Sequence, residues 1–292
     1  MSPRRIPVTP ITLWLVSFAL WFAIAGCQSP PRAAGQAEAT TPIAQAHAVF
    51  TVAESKRLIA KAVVLMPIVR NALRNGTVIV CKGTTNTYVA EEFLGREIPH
   101  GAYVIGRVLP EKGGSVMPPV EPVPEVVLVK GRHRPDLTIE HALEQLGPGD
   151  VVIKGGNALD YANKVVGVWI GSPTGGTVGK IMPIIAARKA HLVIPIGLEK
   201  QVAGDVRDIA AKTTEPVDSP AKLPRMRLLT GHIVTEIEAL NILAGVDAFQ
   251  ASAGGVGGAE GAVWMAWRGP RENVEKARRI AESIHGEEPF IP

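Results

Sequence analysis

Three glycine turns hold most of the residues whose types and spacing could do chemistry. Gly83-Thr84-Thr85-Asn86 follows an apolar run at 78–81, Lys154-Gly155-Gly156-Asn157 follows one at 150–153, and Gly175-Gly176-Thr177 follows one at 165–170. A glycine turn between a strand and a helix leaves backbone N–H groups free at the positive end of a helix dipole. That suits a phosphate or a carboxylate. Thr84, Thr85 and Thr177 add hydroxyls, and Asn86 and Asn157 add amides. Lys154 adds a charge. It can bind an anion or, desolvated, act as a base or amine nucleophile, and it is the candidate catalytic residue. A plain structural reading stands beside this one: glycine for turn geometry alone, and a strand-end lysine directed into water.

Better-known chemistries are poorly supported. Gly179-Lys180 ends like a phosphate loop, but Thr174 stands where the earlier glycine is required and Ile181 replaces the magnesium-binding hydroxyl. No GxGxxG follows the first strand and no serine lies in GxSxG. The chain has only two cysteines and no HExxH, so a thiol-based zinc cluster is excluded, no metal ligand set is expected and no cofactor is implied. Cys81, inside an apolar run, reads as a core thiol. Asp150 and Asp160 flank the Gly155 turn, with Asp150 suited to turn chemistry after Pro148-Gly149. Glu199-Lys200 reads as a surface charge pair. His191 and His232 begin elements and have no evident partner.

The elements that must position these residues alternate. A helix is expected over 54–75, interrupted at Pro67, which can open a second helix, and stopped at Gly76. Strands follow at 78–81, 103–108, 126–130, 150–153, 165–170 and 191–196, with helices at 87–94, 138–146, 177–189 and 205–212. The Pro/Gly-rich segment 111–125 is no regular element and reads as a lid or edge-covering loop. This alternation predicts an α/β fold with a doubly wound, mostly parallel sheet, whose ligands sit beyond the carboxyl ends of the strands. All three glycine turns should lie there. Strand 226–229, helix 234–243, strands 246–252 and 262–267, and helix 270–284 predict a small C-terminal α+β subdomain of order β-α-β-β-α, with glycines 254–258 in its hairpin.

The domain plan that results is a signal peptide over 1–26, a flexible tether over 27–50, an α/β domain over 51–220 and the α+β subdomain over 221–292. Arg4 and Arg5 precede an apolar run at 11–24 that is short for a bilayer span. Ile24-Ala25-Gly26-Cys27 resembles the lipobox of bacterial lipoproteins. That resemblance implies cleavage before Cys27, lipidation of its sulfur, and a place in the cell envelope, lipid-anchored and facing the periplasm or exterior. An uncleaved anchor with an incidental cysteine is the alternative. With Cys27 lipidated, Cys81 is alone and no internal disulfide forms. Removing Arg4 and Arg5 lowers the formal charge from +4 to +2. A body so near neutrality gives nucleic acid little to bind.

VIVCKGTTNTYVAEEFLG (78–95) together with DVVIKGGNALD (150–160) resembles the superfold shared by ribose-5-phosphate isomerase, glucosamine-6-phosphate deaminase, the sugar-phosphate domain of DeoR-type regulators and the CoA-transferases. The resemblance covers about residues 54–212. It implies that Gly83, Thr84 and Thr85 hold a phosphate and that Lys154, Gly155 and Gly156 close the site. The isomerase's acidic D-G-A-D-E segment has no counterpart here. Two functions follow as expectations: a membrane-tethered protein that binds a small anionic metabolite with isomerase- or transferase-like chemistry, or a non-catalytic binding or structural lipoprotein module.

Overall fold

The computed structural model describes residues 42–109, 120–218 and 223–290. Cys27, the 1–26 segment, most of the Pro/Gly-rich loop and the 220/221 boundary lie outside them. The described residues form one compact unit.

In chain order the elements are β1 (Ile43–Phe50), α1 (Val52–Val63), α2 (Pro67–Asn75), β2 (Thr77–Val80), α3 (Thr84–Leu94), β3 (Val126–Val129), β4 (Arg132–His133), α4 (Ile139–Glu144), β5 (Val151–Ile153), β6 (Ala158–Asp160), β7 (Val165–Ile170) and α5 (Gly176–Arg188). They continue with β8 (His191–Pro195), a 3-10 turn (Leu198–Lys200), α6 (Val206–Lys212), β9 (Arg225–Leu229), β10 (His232–Val234), α7 (Glu236–Ala244), β11 (Asp247–Ala253), β12 (Val263–Pro270) and α8 (Arg271–Ile284). The fold is mixed α/β.

The central sheet has the order β10-β8-β5-β2-β3-β4. Its first four strands are parallel, β3 pairs antiparallel with β2, and β4 pairs antiparallel with β3 and so runs in the direction of the first four. The middle strands are apolar without alternation because both faces are covered. Val78, Ile79, Val80, Val151, Val152, Ile153, Val193 and Ile194 are fully buried. The sheet is thus mixed, and the parallel region is narrower than expected. β7 lies in a separate antiparallel sheet, β6-β7-β9, instead of continuing the parallel one. Its partner β6 is three residues long, too short for a sequence signal.

Local chemistry sets several boundaries. Thr51 and Glu54 form a reciprocal capping box that starts α1 (Thr51 N–H to Glu54 Oε2, 2.8 Å). Pro67 opens α2, and Thr138 and Asp205 cap α4 and α6. The strand expected at 103–108 does not form. Tyr103 is instead buried in a turn, where its hydroxyl donates to the Val80 carbonyl and accepts the Val126 N–H at 2.7 Å, fastening β2 to β3.

Two other expectations change. The tether reading through residue 50 ends earlier, because Ile43–Phe50 is β1 and pairs along its whole length with β12. Its inward residues are Ala44, Ala46, Ala48 and Phe50, and the three alanines are too small to register as an apolar stripe. The C-terminal elements do not make a sheet of their own. β9 joins β7, β10 joins β8, and only β11 and β12 form the hairpin, which β1 extends into a third sheet. β10 sits where the helix was expected to begin. A second capping box, Thr235 with Glu238, holds the start of α7 at Glu236.

Candidate functional site

The parallel pairing of β2 with β5 aligns Val80 with Ile153, so the turns after them lie side by side. The side-chain amide of Asn86, in the first turn of α3, donates to the Cys81 carbonyl at 2.6 Å and to the Ile153 carbonyl at 3.2 Å. A Cβ placed on Gly155 would stand 3.8 Å from Asn86 Oδ1 and 3.4 Å from the Pro195 carbonyl, so the exit of β8 adjoins as well. Gly83, Thr84, Lys154, Gly155 and Gly156 are half-buried, whereas Thr85 and Asn86 are buried.

Not every candidate joins this group. Gly175 and Gly176 have left-handed backbones and open α5, but they follow β7, which is outside the central sheet. The expectation that all three turns share the edge of one parallel sheet therefore fails for the Gly175-Gly176-Thr177 turn. Asn157 is exposed, and its polar groups serve β7: its N–H donates to Gly167 O at 2.8 Å and its Oδ1 accepts from Trp169 N at 3.1 Å. A Cβ on Gly156 would come within 2.1 Å of Val166 Cγ1, so this glycine serves close packing. Asp150 accepts from the Thr77 and Gly147 N–H groups, both at 2.7 Å, and Asp160 from Asn163; both do turn chemistry. His191 and His232 meet at the opposite, amino-terminal ends of β8 and β10, with ring centroids 5.4 Å apart.

Four charged residues that sequence reasoning passed over or read as surface complete the group. α1 carries Lys56, the 3-10 turn after β8 carries Glu199 and Lys200, and Glu236 follows β10. The Glu236 Oε2 accepts the Leu198 N–H at 2.9 Å, joining the β8 and β10 exits. Glu236 is fully buried, and burial first, then the nearby Glu199 charge, pushes its carboxyl up to about 7. The Ser55 hydroxyl beside it favours the charged form, yet Oε1 closes no hydrogen bond. Lys56 is 7% exposed. Burial, then the like charge of Lys200, brings its amine down to about 8, opposed by Glu199. Lys154 donates from Nζ to its neighbour Gly155 O at 2.9 Å. It is half-buried by area, but its ammonium is enclosed, and desolvation, with the like charge of Lys200, lowers its basicity. Burial pushes the Cys81 thiol up to about 12, so it is a neutral core group.

The carboxyl ends of β5, β8 and β10 thus carry two lysines and two glutamates, and α1 adds Lys56. Thr85 Oγ1, Asn86 Oδ1, Glu199 Oε2 and Glu236 Oε1 are buried there without a hydrogen-bond partner. Each such group costs about 1–3 kcal/mol while unsatisfied, and ligand sites are where such costs are retained. Glu199 folds back over Gly197, where a Cβ would lie 1.7 Å from Oε2. A groove of about 310 Å³ between α7 and β11 includes none of these side chains. The sequence did hold a signal for Glu236 and Glu199: both stand just past the end of an apolar parallel strand, where the strand-end rule places ligands. Lys56 had none, since a lysine on an amphipathic helix reads as solvent-facing.

Comparison with protein-family models, with curated proteins and with solved structures finds no match for this chain.

Proposed function

We propose that the chain is a lipid-anchored envelope protein whose body binds a small phosphate- or carboxylate-bearing metabolite at the ends of β2, β5 and β8. One observation carries this reading: Lys56 and Lys154 both feel the charge of Lys200, beside strand-end oxygens that are buried without partners. Lysines supply charge to an anion, and the Gly83-Thr84-Thr85 turn supplies N–H groups and hydroxyls at the start of an eleven-residue helix. The unpartnered oxygens of Asn86 and the two glutamates are acceptors, so the ligand they suit also carries a hydroxyl or another donor. We read the four parallel strands as the centre of a doubly wound sheet of the sugar-phosphate-binding kind. Perturbed carboxyl and amine groups side by side favour isomerase- or transferase-like proton chemistry over a purely structural role.

A thermal-shift titration with inorganic phosphate, small carboxylates and nucleotides tests the reading. Stabilisation by at least one of them, lost in Lys154→Ala and kept in Thr177→Ala, is expected. Loss in Thr177→Ala alone would move the site to the Gly175 turn, and no stabilisation by any of them would leave the non-catalytic structural module. The anchor is tested separately: palmitate labelling and membrane fractionation should be lost in Cys27→Ser. Among the described residues no helix is long and apolar enough to cross a membrane, so none of those helices replaces the lipid.

A further inference from the structure

Glu236 presents a chemical difficulty that the lysines do not. Its Oε2 is engaged by the Leu198 N–H, while its Oε1 is buried and unpartnered in the same polar group as Lys56, Glu199 and Lys200. As a carboxylate, Oε1 could only repel an anion arriving there. As a carboxylic acid it becomes an O–H donor. We infer that Glu236 enters the anion site as a neutral carboxylic acid whose Oε1–H donates to the ligand, so that the anion is taken up together with a proton.

This rests on the proposed anion site and says how that site handles charge. The proton comes from solvent, the only bond formed in the protein is Oε1–H, and the anion's charge is offset in part by the added proton. The surroundings agree. Glu199, on the turn after β8, places a second negative charge near Glu236, and two carboxylates that close favour one proton between them. Ser55 from α1 and the Leu198 N–H favour the charged form, so the group titrates near neutrality and is not locked neutral. On its own helix, Glu238 is committed to Thr235, Tyr161 and Lys164 and stays ionised. Lys56 and Lys200 face the same space, and an anion bound between them and Glu236 adds the negative charge that draws the proton in.

Sulfate is the probe, because it carries no titrating proton near neutrality. Calorimetric titration at about pH 7.5, repeated in buffers of different ionisation enthalpy, reads proton uptake directly. The expected result is a substantial fraction of a proton per sulfate, with affinity falling by up to about tenfold per pH unit above the Glu236 midpoint. Glu236→Gln keeps a donor and should bind sulfate with only the smaller uptake that Lys56, lowered to about 8, supplies, and with a shallower pH profile over about pH 6–7.5. Saturable binding without uptake, or equal uptake in Glu236→Gln, overturns this inference and leaves the anion site standing. Absence of sulfate binding overturns this inference, and the anion site falls with it only if the phosphate, carboxylate and nucleotide titrations also show no stabilisation. If Glu236→Gln does not fold, infrared difference spectra of the unsubstituted protein decide: sulfate should convert a carboxylate band into a protonated-carboxyl band, and no conversion overturns the proposal.

Discussion

Asn86 and Ile153 are 67 residues apart, yet the Asn86 amide donates to the Ile153 carbonyl at 3.2 Å while also holding Cys81 O at 2.6 Å. One side chain therefore fixes the first turn of α3 against the ends of both β2 and β5. It ties together the two glycine turns that the β2–β5 pairing sets side by side, and its Oδ1 is buried without a partner.

Asn86→Ala removes two buried hydrogen bonds and takes the side-chain donor from the Cys81 carbonyl, while Ile153 O keeps the Cys81 N–H at 2.9 Å. A loss of about 2–3 kcal/mol in denaturant unfolding is expected, with an unchanged m-value. Asn86→Asp places carboxylate oxygens against two carbonyls and should be at least as damaging.

The glycines differ in the room that surrounds them. Gly156→Ala drives a Cβ to 2.1 Å from Val166 Cγ1 and 3.2 Å from Gly167 O, and should cost about 2 kcal/mol of stability. At Gly83 the nearest atom to an added Cβ is 3.9 Å away, and φ of 164° is extended backbone. Gly83→Ala should stay within about 0.5 kcal/mol of the parent in stability, and a methyl group at the turn should weaken anion binding.

Stability should fall with pH through Glu236 and rise again through Lys56. The Glu236 pKa is raised from 4.5 to about 7, so the folded state binds more protons over that window and its stability declines as pH climbs through it. The Lys56 pKa is lowered from 10.5 to about 8. There the unfolded state binds more protons, and stability recovers from about 8 toward 10.5. Denaturation series across pH should lose the first limb in Glu236→Gln and the second in Lys56→Met.

Arg57 fastens the segment after α8 to the body. Its guanidinium meets Glu91 at 2.7 Å, Glu92 at 3.1 Å and Glu287 at 2.8 Å, and it lies over the Tyr88 ring. The Glu91 side chain is only 4% exposed. Arg57→Ala strands that charge and should cost about 3 kcal/mol, whereas Glu287→Gln leaves Glu91 paired and should cost about 1 kcal/mol, both read by chemical unfolding.

The sequence made the middle of the sheet legible because β2, β5 and β8 are covered on both faces and read as unbroken apolar runs. Pro67, Gly76, Thr138 and Asp205 marked boundaries through backbone chemistry that acts within a few residues. β1 was hidden because alanines face its partner layer, and β10 because three residues carry no period. The site was half legible for the same reason. The Gly83 and Lys154 turns announce themselves locally. Lys56 and Glu236 acquire their character only when α1 packs against α7 and removes both from water. On an isolated helix, Lys56 is an ordinary solvent-facing charge and Glu236 an ordinary first-turn acid.

The most direct measurement is a crystal grown with tungstate, an electron-dense tetrahedral dianion, and read by its anomalous scattering. A peak among Gly83, Lys154 and Lys200, absent in the Lys154→Ala/Lys200→Ala double variant, is the outcome the anion site requires. A peak confined to the Gly175-Gly176-Thr177 turn, or none at the ends of β2, β5 and β8, would contradict it.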